Sequence, residues 1–157
     1  MSDILRIAAA MTRIYEEVYG SISEVSDLTE MKMHKLLYFA QKNHYFNFGE
    51  WLFDDDFQGW VHGPVNKKIR TNFSYLDQDV EITLEEEYTI REVVHEYGKF
   101  SAGYLRNLSH EDDAYKNSRI GLMEDQAGDR TIAKDDIITD LSSHGRHFKS
   151  DERGVFN

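Results

Sequence analysis

Cysteine is absent from the 157-residue sequence and proline occurs once, as Pro64. Without thiols there are no disulfides, thiolate metal sites or cysteine nucleophiles, and the chain suits a reducing cytoplasm. Long apolar runs are also missing. None approaches the roughly 18 residues that a membrane span needs, and the stretch Met1 to Met11 is amphipathic, so a cytoplasmic protein with no membrane contact is expected. Basic residues are few, 18 against 29 acidic ones, which leaves a formal net charge of −11. That surplus repels a phosphate backbone, and the longest basic cluster, Lys67, Lys68 and Arg70, is too short to reverse it. No nucleic-acid ligand is expected; a basic protein partner is. There is no Gly-rich phosphate loop, G-x-S-x-G elbow or nucleotide fingerprint, so catalytic residues, cofactor and metal are all expected to be none.

What is present is enough to fold. The chain is 40% hydrophobic and 13% aromatic, and its length fits one compact domain. Ser2 can cap a first helix in which Ile4, Leu5, Ile7, Ala8, Met11, Ile14, Tyr15 and Val18 recur at helical spacing until Gly20. Ser21 to Leu28 reads as a polar loop. Thr29 and Glu30 open a second helix that runs to about Phe46 or Phe48, apolar on more than one side, and this predicts the centre of the fold. Trp51, Leu52 and Phe53, then Asp54, Asp55 and Asp56, then Phe57, Trp60 and Val61 predict a turn between short extended segments. His62, Gly63 and Pro64 follow, and because proline is tolerated in a first helical turn, Val65 to Phe73 is expected to be helical.

Val80 to Thr83 reads as a brief strand. Thr83 and Glu86 match a capping box ahead of a fourth helix to Tyr97, with Leu84, Tyr88, Val93, Val94 and Tyr97 buried and Gly98 suited to a left-handed stop. A short helix from Ser101 to Leu108, a turn at Asp113 to Asn117, a loop from Gly121 to Arg130 and a last helix around Asp135 to Leu141 complete the pattern. The expected architecture is mainly α, a single compact helical domain with a small β ribbon over 1–141, and a polar, mobile tail over 142–157.

Three groups of residues could carry function. His110 with Glu111, Asp112 and Asp113 suggests acid/base or metal chemistry, but its spacing matches no zinc motif and a solvated cap is the simpler reading. Asp54 to Asp56 lack the alternation and terminal glutamate of a calcium loop, so an acidic turn is expected. Bulky aromatics flanked by acids, among them Trp51, Phe53, Trp60, Tyr104 and Tyr115, are what a protein interface uses as anchors inside a charged rim. Phe53, beside the acidic turn, is read as facing a partner. Trp60 is divided between core and contact.

Met33-His34-Lys35-Leu36-Leu37-Tyr38-Phe39-Ala40-Gln41, then Leu52-Phe53-Asp54, then Gly59-Trp60-Val61-His62-Gly63-Pro64-Val65 resemble, in order, three blocks of the Panacea domain, the phage-associated GepA-like or SocA-like family. Val94-His95-Glu96-Tyr97-Gly98-Lys99-Phe100-Ser101, followed by Leu105 and Leu108-Ser109-His110-Glu111, is similar to the family's second half, and Ile132 to Leu141 also fits, so the likeness covers roughly Ile4 to Leu141 and makes 1–141 a Panacea-like domain. Gly59 stands where alanine is expected before the tryptophan, and Tyr115 where a tryptophan follows the Leu-Ser-His segment.

The resemblance implies an antitoxin of a two-gene toxin–antitoxin pair, of the kind found in prophages and phage defence, that neutralises its cognate toxin by direct binding. Toxins of the family's pairs include small alarmone-synthetase-like proteins that attack translation, and in one branch the domain is an adaptor delivering the toxin to an AAA+ protease. No catalytic residues carry over. The expected contacts are Phe53, Asp54, Asp55, Asp56, Trp60 and His62, with Gly63 and Pro64 shaping their loop and the acidic face covering a basic toxin surface. The segment from Ser109 to Tyr115 is a competing surface, and an enzyme using His62 or His110 with nearby carboxylates is the rival function.

Overall fold

Every side chain from Lys32 to His44 is buried, polar ones included, so the second helix is the post around which the other elements stand. The computed structural model describes residues 3–20 and 28–145. Helix α1 (Ile4–Tyr19) is capped by Asp3, whose carboxylate accepts from the Leu5 N–H; Ser2, the expected cap, lies outside the described residues, as does most of the expected loop before Leu28. Helix α2 (Glu30–Phe48) starts at the Thr29 cap and stops at Gly49, which takes the left-handed conformation at φ 71°. Both ends agree with the sequence reading.

The β ribbon is an antiparallel hairpin, β1 (Gln58–Trp60) against β2 (Gly63–Val65), with Gly59 opposite Pro64. Its turn is Val61–His62, not the acidic triplet. Pro64 therefore lies in a strand, and the helix that it was expected to open begins later, as α3 (Lys67–Asn72), because the Asn66 side chain caps it by accepting from the Ile69 N–H. A 3₁₀ turn, Phe73–Tyr75, follows. Val80 to Thr83 form no strand. Their stretch is held instead by α1, where the Arg13 guanidinium donates to the carbonyls of Gln78 (2.7 Å) and Val80 (2.9 Å).

Helix α4 (Leu84–Tyr97) opens with the full capping box of Thr83 and Glu86. The box turns Glu86 inward to the Arg6 guanidinium at 2.7 Å, and this sets the helix's rotation. Leu84 and Tyr88, expected in the core, are consequently 85% and 56% exposed, whereas Thr89, Ile90, Val93, Val94 and Tyr97 are buried. Gly98 is right-handed, at φ −62°. Its value is space, since a Cβ there would lie 2.9 Å from the Tyr19 ring. Then come α5 (Ala102–Ser109), α6 (Asp113–Ser118) and α7 (Lys134–His144). Helix α7 thus continues into the segment expected as tail, and 146–157 lie outside the described residues. Helices α1 and α2 both pack on α4, α2 also meets α5, and α6 leans on α7, giving a mainly α domain.

Because α2 is enclosed, each of its polar groups needs a partner inside the protein. The Lys32 ammonium donates to Tyr15 Oη (2.8 Å) and the Gly98 carbonyl (2.7 Å). Gln41 spans to the backbone of Leu52 and Phe53. His44 Nδ1 meets Thr89 Oγ1 at 2.7 Å. Lys42 lies 2.7 Å from Asp112, whose same oxygen accepts from Tyr38 Oη at 2.8 Å. Both ends of this ion pair are almost wholly enclosed, with side-chain exposures of 1% and 2%.

Removing one partner of such a pair strands a buried charge. Asp112→Ala should therefore lower unfolding stability by about 3–5 kcal/mol, whereas Lys42→Met combined with Asp112→Leu should recover most of that loss. Urea unfolding of the three proteins reads the difference; a single variant as stable as the parent would refute it.

Candidate functional site

An apolar cleft of about 780 Å³ opens between the first turns of α2, the hairpin and the loop around Ala127. Met31, Val61, Val65 and Ala127 supply apolar wall. Trp60 is half-buried, with its indole N–H bound to Gln58 Oε1 (2.9 Å) and the Arg70 guanidinium 5.1 Å from its ring centre. His62, at the hairpin turn, is exposed at the edge.

Two buried cationic-type groups reach this cleft from α2. His34 Nε2 is 3.0 Å from Glu30 Oε2, and its Nδ1 accepts from the Asn66 N–H at 3.2 Å, a pair of roles that fits the neutral ring. Burial first, and Lys35 and Arg70 besides, push its pKa from 6.5 down to about 4, against the opposing hydrogen bond to Glu30. Lys35 is 1% exposed. Burial pushes its ammonium from 10.5 down to about 8, Arg106 adds to the shift and Glu30 opposes it. Among the described residues Lys35 has no hydrogen-bonding or ion-pair partner, unlike Lys32 and Lys42.

Gly63 makes room for it. The residue sits at φ 112°, and a Cβ there would come 2.7 Å from Lys35 Cε and 3.1 Å from Ser109 Oγ. Tyr115 Oη donates to the Trp60 carbonyl and pins the hairpin to α6. Behind the hairpin the His110 ring stacks on Tyr115, with centres 4.4 Å apart, and burial, then Arg106 and Lys35, push its pKa to about 4.

The expected contact residues part company here. Trp60 and His62 border the cleft, and Gly63 and Pro64 are buried beneath it. Phe53 is a correction: it is fully buried, with its ring 5.9 Å from Phe57, so it serves the core and is closed to a partner. Asp54 is exposed, but its carbonyl accepts from Lys134 Nζ. Asp55 accepts from the Ile4 N–H at the start of α1 and pairs with Lys68 at 3.0 Å, and Asp56 pairs with Lys134 at 2.6 Å. The acidic turn thus clamps α1, α3 and α7.

The second expected cluster also disperses. Asp112 turns inward to Lys42, His110 lies on Tyr115, and Asp113 is exposed, 4.0 Å from His144. Gly59 is explained by its neighbour, since a Cβ would sit 1.9 Å from Ser118 Oγ. The sequence reading missed Lys35, His34 and Arg70 as site residues; the available signal was three lysines inside an otherwise enclosed helix.

Fold and cleft together describe a small, mainly helical domain whose concave surface is apolar with a cationic floor. Residues 33–116, more than half of the chain, match the family described as Antitoxin SocA-like, Panacea domain, and the chain belongs to that family. No curated protein and no solved structure matches it. Membership points to an antitoxin role and away from catalysis. No described helix is long and apolar enough to cross a membrane.

Two consequences are measurable. Gly63→Ala forces a Cβ into Lys35 at a positive φ and should cost roughly 1–3 kcal/mol in urea unfolding. For His34 and His110, folded pKa values near 4 lie below the unfolded 6.5, so at higher pH neither state is protonated and stability is unaffected. Below 6.5 the unfolded chain takes up protons that the folded one refuses. The urea midpoint should therefore fall between pH 6.5 and 5.5, above the main carboxylate range, and fall less in His110→Gln; equal slopes would contradict the shift.

Proposed function

We propose that this chain is the antitoxin of a toxin–antitoxin pair and neutralises its cognate toxin by direct binding, masking the toxin's working surface. The observation that carries the reading is Trp60, a large aromatic left half-buried on the wall of an apolar cleft, in a chain of an antitoxin family. Tryptophan and arginine are enriched among the few residues that dominate binding energy at protein interfaces. Trp60 and His62 form the contact, with Asp54 as the remaining member of the expected acidic face. The surplus of negative charge, −11 for the chain, acts at longer range, speeding encounter with a basic partner and losing that effect as salt rises.

Expression of the neighbouring open reading frame, alone and with this chain, tests the reading. Growth arrest by the neighbour, with protein synthesis as the affected process, and rescue in a stable co-purified complex are the expected results. Trp60→Ala should then weaken the complex by at least about 30-fold, the ~2 kcal/mol of an interface anchor, without changing the urea midpoint by a comparable amount. Absence of both toxicity and complex would sink the antitoxin reading. Rescue that needs a cellular protease and lowers the toxin level would replace occlusion by delivery to that protease.

A further inference from the structure

Lys35 is unusual in this fold because a side chain that is 1% exposed carries an ammonium with no acceptor among the described residues, a costly arrangement, and the other two lysines of α2 both have acceptors. Its nearest carboxylate is already engaged: Glu30 Oε2 meets His34 Nε2 at 3.0 Å and Arg70 Nη1 at 3.6 Å. Of the groups on other elements, Arg106 and Arg70 are positive, and Asp125 is the acidic one at the lining. Arg106, from α5, raises the local potential, and its Nε, like His110 Nε2, is buried without a hydrogen-bond partner. Within a strongly acidic chain the floor of this cleft thus carries a cation, Lys35 backed by Arg106, while Glu30 and Asp125 stand with Arg70 at its lining.

We propose that the cleft is a carboxylate-binding site that receives a glutamate side chain from an apolar segment of the toxin, with Lys35 as the cation at the floor and Trp60 as the wall. The identity of the partner rests on the antitoxin reading; the chemistry of the site does not. One carboxylate fits better than a phosphate, because a single ammonium stands at the floor while Glu30 and Asp125 at the lining would repel a dianion. A side chain fits better than a chain terminus. Glutamate carries its charge on methylenes that match apolar walls, whereas a terminus would bring peptide N–H and C=O groups into the same apolar space. Gly63 belongs to the site through the space it leaves for Lys35.

The test uses the full chain with Trp51→Phe, so that Trp60 alone reports. The probe is a pentapeptide blocked at both ends with glutamate between two leucines, titrated against the same peptide carrying glutamine. Saturable change in Trp60 emission with the glutamate peptide is expected, at least about tenfold weaker for the glutamine peptide and for Lys35→Met. The peptide comparison needs no variant at Lys35, so it holds even if that substitution disturbs folding. Equal binding of the two peptides, no saturable change, or tighter binding of inorganic phosphate would overturn the proposal, and preference for a glutamine peptide with a free carboxyl end would assign the site to a chain terminus instead. Failure here with the toxin complex intact removes the carboxylate site and leaves the antitoxin reading. Peptide binding without any toxin complex removes the toxin as its source.

Discussion

The Lys42–Asp112 ion pair holds the centre of this protein together. Asp112 ends the Leu-Ser-His segment and begins α6, and its carboxylate reaches back across some 70 positions of sequence to the ammonium on α2. Tyr38 Oη shares the same carboxylate oxygen, so one acidic group fixes both the rotation of α2 and the docking of the α5–α6 corner. A charge pair this deep is stable only when its geometry is maintained on both sides. The hairpin depends on that corner in turn, since Tyr115, three residues after Asp112, holds the Trp60 carbonyl. The cleft is bounded by the pieces that this arrangement positions.

Enclosure of α2 also explains why the site has the charge it has. A helix buried all round must satisfy its polar side chains internally, and apart from Asn43 Oδ1 α2 does so for its enclosed cations and histidine with carbonyls, a threonine, a tyrosine and Asp112. Lys35 breaks the rule at the place where the fold opens. The contrast between neighbouring lysines on one helix, rather than the overall charge of the chain, separates structural cations from one available to a ligand. Net charge describes the field at a distance, whereas a cleft is governed by the few groups that line it.

Much of the architecture was legible along the chain. Thr29 and Gly49 bound α2, Thr83 and Glu86 form the capping box, and Ser101 starts α5, because caps are local contracts between residues three or four apart. The errors lie where tertiary packing decided the outcome. Val80 to Thr83 as a strand and Leu84 and Tyr88 as core were judged from neighbours in sequence, while their fates were set across the fold by Arg13 and Arg6; Pro64 as a helix opener and Phe53 as a contact failed on the hairpin and the core that their segment joins.

The sequence by itself determined a mainly helical domain with α2 at its centre, the absence of thiol chemistry, the acidic surplus and the likeness to an antitoxin family, since each follows from composition, local spacing or an ordered set of motifs. Only the tertiary structure decided that the aspartates of the acidic turn clamp other helices, that Phe53 is core, and that Lys35, Trp60 and Arg70 meet in one cleft. Those outcomes depend on which distant groups arrive within a few ångströms, and the energy of a charge or an aromatic ring depends on that arrival and on the water it excludes.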